Sequence, residues 1–197
     1  MNQVIGQPLS LQSKMKSLTF LDCGSPALEV ANTFVTSTDL KVGAYSVAAA
    51  VHSDALCRSI RLTLSKQTNA DTMSLITITG TDYLDQVITE DILPIDNTTA
   101  DGLKCFKTVT SIVGATGWVR DAGAGTEDHL TVGSGPLIQI PAYLAATNDV
   151  IFAIFNTAVI NAPTITASAT VISLNTINCS ALTYDGTKKL RIFVDLS

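Results

Sequence analysis

The chain has 197 residues, a mass of 20.7 kDa and a net charge of -5, with 46% hydrophobic but only 15% charged residues. That balance excludes a disordered tail, which would be charge-rich and poor in apolar residues, and no apolar run approaches the ~20 residues of a membrane-spanning helix. The pI near 4.8 and the scattering of the lysines and arginines leave no concentrated basic face for nucleic acid, so neither nucleic acid nor membrane is an expected partner.

From the N-terminus, Met1 to Leu21 is polar, contains Gly6 and Pro8, and shows neither a helical stripe nor a long strand pattern. It reads as an extended N-terminal arm that orders against a neighbour. It has no basic region followed by an apolar core, so no secretory signal is expected and synthesis in a cytoplasm is. Residues 22–197 read as a single β domain. Ala27–Val35 and Lys41–His52 are candidate strands, with helix left open at Ala48–Ala50. In Ser59–Ser65, Ile60, Leu62 and Leu64 alternate with polar residues, the mark of a strand with one wet face. Leu75–Thr79 and Gln86–Leu93 follow, linked by a hairpin that Asp82 and Asp85 shape.

Pro94, Asn97 and Asp101-Gly102 predict a loop, and Lys104–Val113 the next strand. A glycine-rich connection (Gly114, Gly117, Gly123, Gly125) leads to Leu130–Val132, and Gly133-Ser134-Gly135-Pro136 reads as a flexible turn before Leu137–Ile140. Val150–Phe155 is apolar on both faces, as a central strand would be. Thr164–Leu174 and Lys189–Leu196 alternate again. Roughly nine to eleven short strands at this spacing predict an all-β fold, an antiparallel β-sandwich or a jelly-roll-like barrel.

The chemical inventory is sparse. Cys23, Cys57, Cys105 and Cys179 lack the close pairing of a zinc site and read as small apolar residues in a reducing compartment. His52 ends an apolar run and reads as a strand-end residue. The Glu127-Asp128-His129 cluster reads as turn chemistry, because neighbours on a strand point apart and ligate a common ion awkwardly. Ser134 has no nucleophile elbow. Asp82/Asp85 and Glu90/Asp91 lack the aromatic-lined cleft of a glycosidase; Trp118 is the sole tryptophan. No catalytic, cofactor-binding or metal-binding residue is therefore assigned, no cofactor is expected, and an enzyme is not expected.

Four phrases recur in order between Ile76 and Gly133: ITITGTD (Ile76–Asp82), VITE (Val87–Glu90), KCFKTVTSI (Lys104–Ile112) and LTVG (Leu130–Gly133). In that order they resemble a module of structural proteins from tailed bacteriophages. The match covers about a third of the chain. It departs where the hairpin would carry glycine, since Tyr83-Leu84-Asp85 fills the turn. The resemblance implies a non-enzymatic virion protein, foremost a capsid decoration (cement) protein on the outer capsid surface that bridges major capsid subunits. A tail tube, collar or fibre-base subunit is the alternative, and a carbohydrate-binding module using Trp118 or Tyr83 beside Asp82, Asp85 or Glu127 a more distant one. The expected partners are the major capsid protein or other virion subunits and further copies of the chain, with a trimer as the first expectation.

Overall fold

The computed structural model describes residues 18–40, 43–65, 74–95, 97–114, 129–160, 163–178 and 182–196. The N-terminal segment up to Ser17, Lys41, Gly117 to Gly125, Trp118, Glu127, Asp128 and Cys179 lie outside them. The fold is nearly all β, with antiparallel sheets and a curled half-barrel, as the strand spacing predicts. In chain order the first strands are β1 (Leu18–Asp22), β2 (Val35–Asp39), β3 (Ala44–Tyr45), β4 (Arg58–Ser65) and β5 (Ile76–Thr81). Next come β6 (Val87–Ile92), β7 (Thr99–Phe106), β8 (Thr108–Gly114), β9 (His129–Gln139) and β10 (Val150–Phe155). The last are β11 (Ala158–Ile160), β12 (Thr164–Thr166), β13 (Thr176–Asn178) and β14 (Leu190–Asp195).

Three sheets result. Sheet A runs β1-β14-β10-β11, sheet B runs β12-β13-β9-β4-β7 with β2 also on β9, and sheet C runs β3-β8-β5-β6. The side-chain alternation read in Ser59–Ser65 is observed: Ile60, Leu62 and Leu64 enter a core with Ile76, Ile78, Ile112, Leu130 and Val132. A second core gathers Ile138, Ile140, Ala153, Ile177, Leu190, Ile192 and Val194. Strand β9 serves both, with Leu130 and Val132 in one core and Ile138 in the other.

The structure corrects several boundaries. Gly133–Pro136 is no turn; it lies inside β9, and its residues are buried. The glycine signals close packing, because a Cβ on Gly133 would collide with the carbonyl oxygen of Val30, where the 30–31 segment crosses the strand. Similarly, Asp101-Gly102 continues β7: Asp101 takes a bidentate bond from Arg61 of β4, at 2.6 and 2.8 Å. The predicted strand Lys104–Val113 is two strands meeting at Lys107. Ala27–Val35 and Lys41–His52 are mostly irregular, with only Val35 and Ala44–Tyr45 in strands, and no helix forms at Ala48–Ala50. Thr164–Leu174 is a strand only to Thr166, then a short 3-10 turn at Ile172–Leu174. Strand β11 was not anticipated. Leu18–Leu21, read as part of the arm, pair with β14.

Replacing Gly133 by alanine should cost about 2–3 kcal/mol, since backbone rather than a flexible side chain blocks the new methyl. Urea denaturation of the variant against the parent measures it.

Candidate functional site

The densest polar cluster lies where β9 passes from one core to the other. Opposite it, β4 carries a register shift between Arg58 and Ile60, so Ser134 and Ile138 of β9 face residues only two apart on β4. Such a bulge strands backbone groups of the longer chain. Side chains satisfy them here: Ser59 Oγ accepts from the Leu137 N–H at 3.1 Å, and Arg58 Nε and one terminal nitrogen donate to the Gly135 carbonyl at 3.3 and 3.1 Å. The other terminal nitrogen of Arg58 donates to Asp54 Oδ2 and to the Ala27 carbonyl, both at 2.9 Å. Asp54 in turn accepts from the Ala27 and Leu56 N–H groups. Both members of this ion pair are sealed from water, at 1% and 2% side-chain exposure.

His52 and Ser134 meet beside it, with Nδ1 and Oγ 3.2 Å apart. A Ser–His contact invites a nucleophile reading. Burial decides against it: His52 is 2% and Ser134 1% exposed, the imidazole packs edge-on to Phe34 at 4.8 Å, and Ser134 also faces Thr33 Oγ1. Burial, reinforced by the Arg58 charge, lowers the His52 pKa to about 4, so the ring is neutral at ordinary pH. The contact ties the 52–57 loop to β9 and offers a substrate no approach.

An open cleft of about 340 Å³ borders this junction, lined by Asp22, Cys57, Tyr83, Lys107, Gln139 and Lys189 among others. Its cations are already engaged: Lys107 Nζ binds Asp85 at 2.6 Å and Lys189 Nζ binds Asp22 at 2.9 Å. Burial pushes the Cys57 thiol up to about 11, which keeps it protonated and a poor nucleophile.

The carboxylates named from sequence separate into structural roles. Asp82 Oδ1 accepts from the Leu84 and Gln86 N–H groups, at 2.8 and 3.0 Å, and closes the β5–β6 hairpin. Asp85 takes a φ of +61° there, doing what glycine would do; aspartate tolerates that region better than most residues. Glu90 reaches from β6 to the Leu103 and Lys104 N–H groups of β7, and Asp91 accepts from Thr77 Oγ1. His129 opens β9, paired in register with Asp39 and Ser65. Among the described residues, no three His, Cys, Asp or Glu side chains gather as a metal site would, and no helix is long and apolar enough to cross a membrane.

What sequence reading missed is an aromatic face. In sheet A, Leu190, Ile192 and Val194 point into the core, so Phe193 points out. Its register partners Phe20 and Phe152 join it in one row across β1, β14 and β10. Phe152 stacks on Phe193 at 4.3 Å, and Phe20 meets Phe193 edge-on at 5.4 Å. None of the three enters either core. Beside the row, Thr147, Asn148, Ile151, Phe152, Val159 and Ile165 are among the residues that line an open groove of mixed polarity, about 550 Å³. The signal was partial: Lys189–Leu196 assigns alternate residues to two faces, but Phe193 stands among Lys189, Arg191 and Asp195 on the outer one, and nothing local says that it would meet Phe20 and Phe152.

No protein-family model matches this chain, and neither a curated protein nor a solved structure does.

Two outcomes are expected at the junction. Arg58→Met should cost about 3–5 kcal/mol in denaturant unfolding, because it leaves the Asp54 carboxylate buried without its counter-ion; Arg58→Lys, lacking the planar fork, should recover only part of the loss. The second concerns pH. His52 has a folded pKa of about 4 against the ordinary histidine value of 6.5, so between those values the unfolded chain takes up a proton that the folded chain excludes. Its contribution is complete above about pH 6.5 and declines as pH falls towards 4, by about 3 kcal/mol in all. His52→Gln should remove that part of the pH dependence, measured as the difference between the two proteins' unfolding free energies at neutral and mildly acidic pH.

Proposed function

We propose that this chain is a non-enzymatic structural protein of a tailed-phage virion, a capsid decoration (cement) subunit that holds neighbouring major capsid subunits together from outside. The reading rests on the ordered phrases that resemble phage structural proteins and on one structural observation: how β1 carries the N-terminal segment. β1 pairs with β14 along its whole length, Leu18 opposite Asp195 through Asp22 opposite Arg191, and its other edge has no strand partner among the described residues. Residues 1–17 are therefore joined in sequence to a strand that is hydrogen-bonded into a sheet, and a load on β1 would be carried by the β1–β14 ladder.

The exterior supports the same reading. Large apolar side chains stand exposed on several elements, among them Leu28, Val87, Leu103 and Val159, and are available to a partner. At the centre of β9 polar side chains join neighbouring segments, as the Ser134–His52 contact and the Arg58–Asp54 pair illustrate.

In this mechanism the arm binds capsid subunits and the β domain is the anchored body. Removing residues 1–17, and stopping short of β1, should leave the circular dichroism spectrum and melting temperature nearly unchanged while abolishing binding to undecorated phage heads in a co-sedimentation assay. A truncated chain that decorates heads as well as the full chain refutes the mechanism.

A further inference from the structure

We propose that a sealed polar site between β9, β13 and the 3-10 turn at Ile172–Leu174 binds one ordered water molecule as an internal ligand. The water joins three side-chain atoms that the described residues leave without a hydrogen-bond partner: Gln139 Oε1, Ser173 Oγ and Thr176 Oγ1. The site is independent of the virion reading.

The three atoms belong to one neighbourhood. Gln139 is 4% exposed, and Ser173 and Thr176 are 0% exposed. Gln139 stands opposite Thr176 in the β9–β13 register, and in the next pair the Ile140 N–H donates to the Asn175 carbonyl at 2.8 Å. Hydrogen-bonded and open pairs alternate along an antiparallel ladder, so Gln139 and Thr176 form an open pair, whose Cβ atoms stand roughly 5 Å apart on one face. That face is the reverse of the one on which Ile138, Ile140 and Ile177 enter the second core. The turn brings the third atom. Gln139 Nε2 donates to the Ile172 carbonyl at 3.0 Å, and Ser173 belongs to that same peptide unit, so its side chain starts beside the glutamine head group.

Hydrogen-bond chemistry selects the ligand. The bond to Ile172 fixes which end of the Gln139 amide is which, because reversing it would set two carbonyl oxygens against each other. Gln139 Oε1 therefore requires a donor. Each hydroxyl donates once and accepts twice. A ligand that both donates to the amide and serves the hydroxyls is water, which commonly takes about three such bonds in a protein interior. A carboxylate or phosphate has no proton for Gln139, and a divalent cation would meet neutral oxygens without a carboxylate. The burial of all three atoms admits nothing larger than solvent. The neighbouring Asn175 is satisfied by protein alone: Oδ1 accepts from the Leu144 and Ser168 N–H groups, and Nδ2 donates to the Ser168 and Val171 carbonyls. The unmet demand is thus confined to one spot beside it.

The test is a high-resolution crystal structure of the full-length protein and of Thr176→Val, with urea unfolding of both, of Ser173→Ala and of the double variant, in sodium, potassium and ammonium chloride. The parent should show one solvent peak within hydrogen-bond distance of Gln139 Oε1 and of both hydroxyls, and Thr176→Val should lose it. Each single substitution should raise the unfolding constant about tenfold. The double variant should add little to either, because both act through the same molecule. If Thr176→Val does not fold, Ser173→Ala, which removes a single atom, takes its place in the crystal. A parent in which the three side chains bond one another directly, or a peak that touches one of them alone, overturns the proposal. So do fully additive substitutions, and so does a stability that follows the identity of the cation, which would assign the site to an ion.

Discussion

The Arg58–Asp54 ion pair holds the architecture together. Taking both charges out of water costs several kcal/mol per ion, and that cost is offset only when donors and acceptors are all engaged in good geometry. Here one guanidinium meets the Asp54 carboxylate, the Ala27 carbonyl and the Gly135 carbonyl at once. It thereby joins the segment after β1, the loop before β4 and the bulged centre of β9. Hydrophobic contact presses these pieces together without direction, and the hydrogen bonds of the guanidinium fix where the irregular segments meet the strand.

Everything that resembles an active site follows from that junction. Strand β9 passes from one core to the other, so its middle is crossed closely by neighbouring backbone and carries glycine. The bulge turns Ser134 inward to His52. The contact looks catalytic by distance and is closed by burial, which also holds the imidazole neutral. In the adjacent cleft, both lysines are spent on aspartates and the thiol is kept protonated. Geometry without access or a suitable pKa yields attachment between strands.

Outside, the low charge fraction acquires a location. Sheet A buries one face in the second core and turns a row of aromatic side chains outward on the other, beside an open groove of mixed polarity. The same sheet holds β1, from which the N-terminal segment departs.

Residue alternation was enough to establish the class of fold and the strands at Ser59–Ser65, Leu75–Thr79, Gln86–Leu93 and Lys189–Leu196, because each has a local period of two that burial of one face enforces; Val150–Phe155 was legible as a short run apolar on both faces. The hairpin role of Asp82 and Asp85 was legible for the same reason: an aspartate bonds backbone within a few residues of itself. Local signals misled where a distant segment decided the matter. Gly133–Pro136 and Asp101-Gly102 carry turn residues yet lie in strands, since one glycine yields space to Val30 and Asp101 has Arg61 across the ladder. Likewise, no sequence pattern could bring Arg58 to Asp54 and Gly135, seat His52 against Ser134, or align Phe20, Phe193 and Phe152. Periodicity is a property of neighbours along the chain, whereas register and the composition of a sheet face arise between segments far apart in sequence, as Phe20 and Phe193 are, and only the packed chain sets them.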